Sequence, residues 1–372
     1  MVFLLVGCSK HQLSTWYLKP SEILLVKNKL IIKSSTNIDK NELESYIRQK
    51  PNRGILFDTW KFRLQWKNIW YRKSSGKKRP AVVLDSSLVD RSKKQMAIFM
   101  KNEGYYDAEV KSEIKPIYYV GIKKWKTKKA KVFYTVLPGA PLIIQSLLYN
   151  IQQENVISYY NQVKDKSKIE KGEILKIEKL EDERSRVTEH LLNNGFYHFA
   201  ENYVRFNVDS SRGKDSVIII TKIKQPSLDS IHRQYYLNKV YVNTTFDPYN
   251  SNNITTDTTL FEGIFFISKG KSQFNPVPLY RSLFFHPNEI YSQNKQSRTF
   301  RQFANLQMFN FIKVDYREVK DSSHGNLLDV HVLLQPAKRM TISAELMGIY
   351  REGFGANGQI SFSRKNAFGN SE

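Results

Sequence analysis

Twice along the chain, apolar positions recur at helical spacing, meet a glycine, and then switch to alternation. Leu88, Arg91, Gln95, Ile98 and Phe99 fall on one side of a predicted helix, broadened by Met96 and Met100, and Gly104 follows. Tyr106, Ala108 and Val110 then alternate as a strand does. Leu180, Arg184, Val187, Leu191 and Leu192 repeat the helical pattern, and Gly195 stands ninety-one residues after Gly104. Phe199, Tyr203 and Val204 alternate less cleanly behind it. The turn itself repeats, since Lys101-Asn-Glu-Gly-Tyr-Tyr106 returns as Leu192-Asn-Asn-Gly-Phe-Tyr197. A glycine just past a helix suits the C′ position, which takes a positive φ that a β-carbon makes costly.

The flanking segments complete a unit. A further strand follows each turn, at residues 131–137 before Pro138-Gly139 and at 216–222 before Pro226. An earlier strand and helix precede each, at 23–32 and 38–50 with Asn37 or Asp39 as cap, then at 142–149 and 154–163. The repeated unit is β-α-α-β-β, an α+β sheet with helices on one face. A third copy is worn. Its strands fall at 235–243, 309–317 and 327–334, its helices within 287–303, and Gln307 stands where the glycine stood. The Ser/Asn/Thr-rich stretch 250–259 reads as a loop. Beyond it, Met340, Ile342, Ala344, Leu346 and Tyr350 alternate with Thr341, Ser343 and Glu345. Ala356, Gly358, Ile360 and Phe362 then alternate with Asn357, Gln359, Ser361 and Ser363. Apolar-out, polar-in strands of ~10 residues are the pattern of an outer-membrane barrel, and two such strands cannot close one. The expected division is modules at 22–138 (with an inserted helix), 139–226 and 231–337, then the start of a barrel at 338–372.

Composition narrows the chemistry. A chain of 372 residues is too long for one ordinary core. The formal charge of +23 invites a polyanion, yet the basic residues are spread out. Runs such as 123–131 sit between strand-like segments, so the charge reads as solvated surface or attraction to anionic headgroups rather than nucleic-acid binding. One cysteine, Cys8, excludes an internal disulfide and a cysteine-built zinc site. Met1-Val-Phe-Leu-Leu-Val-Gly-Cys8, followed by Ser9, resembles a bacterial lipobox, in which Cys8 carries acyl chains. The apolar run is shorter than the ~7–15 residues expected and lacks a basic start, so residues 1–8 read as a truncated signal and 9–21 as a linker.

Several motifs are set aside. Gly353-Phe-Gly355-Ala-Asn-Gly358 fits a dinucleotide fingerprint, but alternation follows it where a helix would be needed. The seven histidines show no metal spacing. Glu181-Asp182-Glu183 reads as helix-start acidity rather than a catalytic carboxylate pair. Neither a serine elbow nor a phosphate loop is present, so no enzyme, cofactor or metal is expected. Trp60, Trp66 and Trp70 lie close together with Phe62 and Ile69. Two readings stand for them, a core helix inserted in the first module and a docking surface for a partner or the membrane interface.

The repeated unit with its asparagine-glycine-aromatic turn resembles the POTRA domain, and the chain is similar to the superfamily of BamA, TamA and two-partner secretion transporters. Further segments resemble the lipoprotein TamA-like branch found in Bacteroidetes. They are Arg48-Gln-Lys-Pro-Asn52, Arg79-Pro-Ala-Val-Val-Leu-Asp85, Glu183-Arg-Ser-Arg-Val187, Leu334-Gln-Pro-Ala-Lys338 and Asn366-Ala-Phe-Gly-Asn-Ser-Glu372. The resemblance implies three POTRA modules in the periplasm and a lipid-anchored place at the outer membrane. It implies a role in inserting or translocating outer-membrane or surface proteins, with unfolded clients added as strands at sheet edges. Residues 132–136 and 218–222 are the candidate strands, and a periplasmic or inner-membrane partner subunit is a further expectation. The alternative is a surface lipoprotein that binds envelope or host components without assembling anything. If Cys8 is processed, labelled palmitate enters the protein in cells and Cys8→Ala leaves it in the soluble periplasmic fraction; unlabelled protein beginning at Met1 overturns the lipobox.

Overall fold

In the computed structural model the described residues are 22–34, 38–51, 82–119, 125–211, 213–227, 230–247, 256–270, 274–319, 325–338, 340–350 and 354–364. They form two compact units that do not follow the module boundaries. One holds the chain to Leu148 with Ile169–Glu181 and Val208–Ile219; the other holds Tyr149–Lys168, Asp182–Asn207 and the chain from Ile220.

The first unit contains the first module. Strand β1 (Leu24–Ile32) is followed by helices α1 (Lys40–Ser45) and α2 (Ser86–Asn102), then by strands β2 (Glu109–Tyr119) and β3 (Trp125–Leu137). The sheet order is β1-β3-β2, with β1 parallel and β2 antiparallel to β3. Both helices start on an aspartate. Asp39 accepts from Asn41 N at 2.9 Å and Asp85 from Ser87 N at 2.8 Å, satisfying donors the first turn leaves open. The Ser87 hydroxyl, with the Ser87 backbone N–H beside it, holds the Asp85 carboxyl below its usual range. Leu25, Leu30, Leu43, Phe99, Met100, Val132, Tyr134 and Val136 close the core between sheet and helices.

The buried face of α2 is Val89, Ser92, Met96, Phe99 and Met100, whereas Ile98 is 58% exposed and Arg91 lies in solvent. The expected face was therefore about one residue out of phase. Ser92 explains the slip, because it reads as polar. Its hydroxyl is satisfied by donating to Leu88 O and accepting from Arg48 N, which lets it sit in the core. The basic run 123–131 also differs from expectation, since its residues from Trp125 onward belong to β3.

In the second module, β4 (Ile143–Asn150), α3 (Glu154–Asn161), α4 (Ile177–Asn193), β5 (Val204–Asp209) and β6 (Ser216–Ile223) follow in turn, with sheet order β4-β6-β5. Glu181, Asp182 and Glu183 lie in the second turn of α4, not at its start. Glu183 is 1% exposed, takes a two-pronged salt bridge from Arg186 at 2.6 and 2.9 Å, and accepts from Lys168 N at 2.9 Å. Arg186 also donates to Val163 O at 2.9 Å, so the pair ties α4 to the segment after α3. A buried charge of this kind is tolerated because each oxygen has a donor.

In the second unit, the third module runs β7 (Tyr236–Asn243), β8 (Thr256–Phe261), β9 (Ile264–Lys269), α5 (Pro276–Arg281), α6 (Gln293–Asn305), β10 (Phe309–Glu318) and β11 (Leu327–Pro336). Its sheet has five strands in the order β10-β11-β7-β9-β8. Two expectations fail here. The stretch read as a loop runs into β8, and the first helix lies at 276–281 rather than within 287–303. Threonine is a strand former, and Glu262-Gly263 makes a two-residue turn with φ of 48° and 75°, as tight hairpins require. Asn275 caps α5 with Pro276 behind it, a start signal visible in the sequence.

The repeated glycine turns do the same work in each unit. Gly104 and Gly195 have φ of 92° and 93°. In the first unit Gly104 O accepts from Leu142 N at 2.9 Å, and in the second Gly195 O accepts from Tyr235 N at 2.9 Å. Each donor stands one residue before the next module's first strand. A β-carbon on Gly104 would run into Ile174 Cγ2 and lie 2.7 Å from Leu175 O; on Gly195 it would lie 2.7 Å from Ile290 Cγ1. Ile174 and Ile290 hold matching places, each three residues before a long helix and each bridged to the first residue of a strand, Ile143 or Tyr236. Polar contacts reinforce both turns. Lys176 pairs with Glu103 at 2.6 Å, and Asn193 Oδ1 accepts from Asn294 N at 2.7 Å and Ser292 Oγ at 3.1 Å. Ser292 makes no side-chain cap of its own, so Asn193 caps α6 from the preceding module. Tyr197 packs on Tyr291 at 5.0 Å, Tyr316 at 5.7 Å and Tyr235 at 5.8 Å, and burial pushes the Tyr291 hydroxyl up to about 12.

Gln307, at the third turn, also holds a positive φ, 53°, and Ala337 N donates to the next residue, Met308 O, at 2.7 Å. We expect Gly104→Ala and Gly195→Ala each to destabilise by roughly 1–2 kcal/mol or more, read from urea midpoints. Ile290→Ala should recover part of the Gly195→Ala loss, whereas Ile174→Ala should recover less at Gly104, where a backbone oxygen also blocks the way. Gln307→Gly should be neutral or stabilising by up to ~1 kcal/mol. Equal losses at all three positions would contradict the shared role of the turns.

Candidate functional site

A strand at a sheet edge leaves a row of N–H and C=O groups unpaired with its own sheet, and those groups can take another strand. In this fold the edges are β1 and β2, β4 and β5, and β10 and β8. Residues 132–136 and 218–222, the strands singled out from sequence, belong to β3 and β6, which are central in their sheets. Their backbones are used on both sides and cannot accept an added strand. The reason for the error is physical: both segments are apolar runs whose side chains fill the core, and side-chain burial on a sheet's face says nothing about which strand's backbone edge is open. The edge strand β10 carries charge, with Lys313 paired to Asp315 at 3.3 Å, and its pairing with β11 is regular from Phe311 to Glu318 after an irregularity at Phe309. β2 offers a shorter run, because Pro116 lacks a donor and a bulge follows it.

The third module departs from the other two at one edge. There β9 pairs in parallel with β7, from Val240↔Ile264 to Asn243↔Ile267, and β8 covers β9. The first strand of that module is thus internal, while β1 and β4 remain at edges. The signal was the Glu262-Gly263 turn between two short strand-forming runs.

The last described element is a hairpin of β12 (Met340–Tyr350) and β13 (Phe354–Arg364), paired antiparallel from Met340↔Arg364 to Tyr350↔Phe354. Ile342 faces Phe362 and Ala344 faces Ile360 on one side. On the other, Ser343 faces Ser361, with hydroxyls 2.6 Å apart, and Glu345 faces Gln359. Ile342, Leu346 and Ile360 are 73%, 87% and 81% exposed, so the hairpin's apolar face is bare. Gly355 and Gly358 lie within β13, with no helix to hold a phosphate.

Of the other residues marked from sequence, Gly104 and Gly195 hold the turns described above. Cys8, Trp60, Trp66 and Trp70 lie outside the described residues, as does the 366–372 segment. Among the described residues no group of three or more metal-ligating side chains occurs, and no helix is long and apolar enough to cross a membrane, which says nothing of strands. His190 and His198 serve locally. His198 meets Glu318 at 2.9 Å, and burial pushes the His190 imidazole down.

No family model matches the chain, and no curated protein matches it in sequence. Among solved structures it is similar to POTRA domains 3–5 of BamA from Haemophilus influenzae, at 10% identity and a TM-score of 0.40, over 84% of this chain and 96% of that one. It is also similar to BamA from Haemophilus ducreyi lacking POTRA domains 1–3, at 12% identity and a TM-score of 0.41, over 61% of this chain and 35% of that one. CdiB from Acinetobacter baumannii gives 11% identity and a TM-score of 0.28, over 62% and 36%. The chain thus spans about a third of the length of the last two. Likenesses this loose carry no weight on function, and the fold rests on the strand orders given above.

Deleting residues 339–372 should raise soluble yield and leave the melting temperature of the remainder unchanged. A fall of several degrees would assign the hairpin to the third module instead.

Proposed function

We propose that the chain is an outer-membrane assembly or translocation component: three POTRA-type modules in the periplasm, feeding a β-barrel whose first two strands are β12 and β13. The observation that carries this reading is the hairpin. Two eleven-residue strands pair in full register; Ile342, Ala344, Leu346, Ile360 and Phe362 share one face, Thr341, Ser343, Glu345, Gln359 and Ser361 share the other, and among the described residues the apolar set stays uncovered. A soluble domain would bury such a face, whereas a lipid-facing barrel wall requires it. The three β-α-α-β-β modules ahead of it supply edges for extended polypeptide. The role is binding, not catalysis, and no cofactor enters it. Acylation at Cys8 would hold the amino-terminal end at the same membrane, and a periplasmic or inner-membrane subunit would be a further partner.

Clients join as added strands along β2, β5 and β10, each the strand just before the last of its module and each at an edge. A photo-cross-linking residue placed at Lys111, Asn207 or Lys313 should capture outer-membrane or surface proteins in cells, while the same residue at Thr135 or Ile220, on central strands, should not. Capture at central and edge positions alike would refute strand addition. Capture of envelope or host components alone would favour the surface-binding alternative.

A further inference from the structure

The outer face of the first module's sheet, away from its helices, is basic in an ordered way. Lys27 of β1, Lys131 of β3 and Lys115 of β2 stand directly opposite one another across three strands. The next row is Lys29, Phe133 and Glu113, and the one after it Ile31, Thr135 and Lys111. Alternation along β3 puts Lys129 on the same face as Lys131, since Ala130 and Val132 point into the protein. Among the described residues of these rows, six lysines share this face with two carboxylates, Glu109 and Glu113. The carboxylates pair along their own strand, Glu109 with Lys111 and Glu113 with Lys115, each at 3.1 Å. Phe133 lies at the centre with the Lys115 ammonium 5.2 Å and the Lys29 ammonium 6.0 Å from its ring.

A solvated sheet face does not need this arrangement. Like charges directly opposite each other on adjacent strands are destabilising, so the row of three lysines works against the fold. The third module shows the ordinary solution, with Asp329 opposite Arg317 and His331 opposite Asp315. On the central strand of the second sheet, the positions that alternate with buried Val217, Ile219 and Thr221 are Ser216, Ile218, Ile220 and Lys222. A row of three lysines runs through neither of these strands, and Lys222 is the one lysine of β6. The charges of the first module's face are lysines, compact point charges that suit a diffuse anionic surface better than the forked recognition arginine provides. Fifteen residues separate Cys8 from Leu24, a reach of at most ~55 Å when extended.

We infer that the outer face of the first sheet rests on an anionic membrane surface, its lysines meeting lipid phosphates with Phe133 at the centre of the contact. The part of this that concerns reach rests on the proposed acylation of Cys8; the charge pattern does not. The test uses the 372-residue chain carrying Cys8→Ser, so that no acyl chain contributes, with phosphatidylcholine vesicles with or without about one third phosphatidylglycerol. Binding should depend on phosphatidylglycerol and weaken with salt. Lys29→Gln with Lys131→Gln should lower the anionic-vesicle partition coefficient by about 30-fold, since each basic residue near such a surface contributes about 1 kcal/mol. Lys94→Gln with Lys101→Gln, on the exposed side of α2, should lower it less than about threefold. The first pair should also hold or raise the melting temperature, because it breaks up the like-charge row. Equal losses for both pairs would overturn the inference, leaving only net charge. Tight binding to polyglutamate or an oligonucleotide with no vesicle binding would overturn it in favour of a soluble polyanion. Palmitate labelling of the native chain reports separately on Cys8, so failure on vesicles with labelling intact sinks this inference and leaves the lipid anchor standing.

Discussion

Close approach without a β-carbon is the constraint on which the module chain depends. At Gly104 and Gly195 the helix of one module ends, the pre-helix segment of the next fills the space a β-carbon would take, and the residue before its first strand bonds to the glycine carbonyl. Three demands converge there. The backbone must reverse with positive φ, the carbonyl must receive an N–H from the incoming strand, and an isoleucine must fit against the turn. Only glycine meets all three cheaply. Distant features follow from this one, including the tyrosine cluster around Tyr197 and the placement of His232. That imidazole is buried against Phe199 and Tyr203 and donates to Lys224 O at 2.8 Å, and burial pushes it toward the neutral form.

Much of this was legible in the residues, because the repeat writes its turn twice and its strands alternate. The bounds of β1, β4, β6, β7, β10 and β11 fall within about two residues of the pattern, and Asp39 caps the helix it precedes. What the pattern could not convey was satisfaction of polar groups in three dimensions. Ser92 and Glu183 look like surface residues in a row of letters, and each is buried because a partner far along the chain completes its hydrogen bonds. The rotated face of α2 and the misread acidic triplet both come from that.

Edge and centre were illegible for a different reason. Sheet position is decided by which strand arrives between which others, and here the last strand of each unit inserts beside the first. Hydropathy is then no guide to edge or centre, since in the first module the edge strand β1 is more apolar than the central β3. The β8–β9 insertion makes the same point in reverse, a polar stretch that is structured because its backbone completes the third sheet.

Asn193 ends the long helix of one module and caps the long helix of the next through Asn294 N and Ser292 Oγ. The second module thus supplies part of the hydrogen bonding that the third needs, and the third answers with Tyr235 N on Gly195 O. A polypeptide delivered amino-terminus first presents the finished turn, with its side chain already in place, before the helix that needs it has emerged. At this junction delivery and cap supply run in step, while the carbonyl of the turn waits for the segment that completes it.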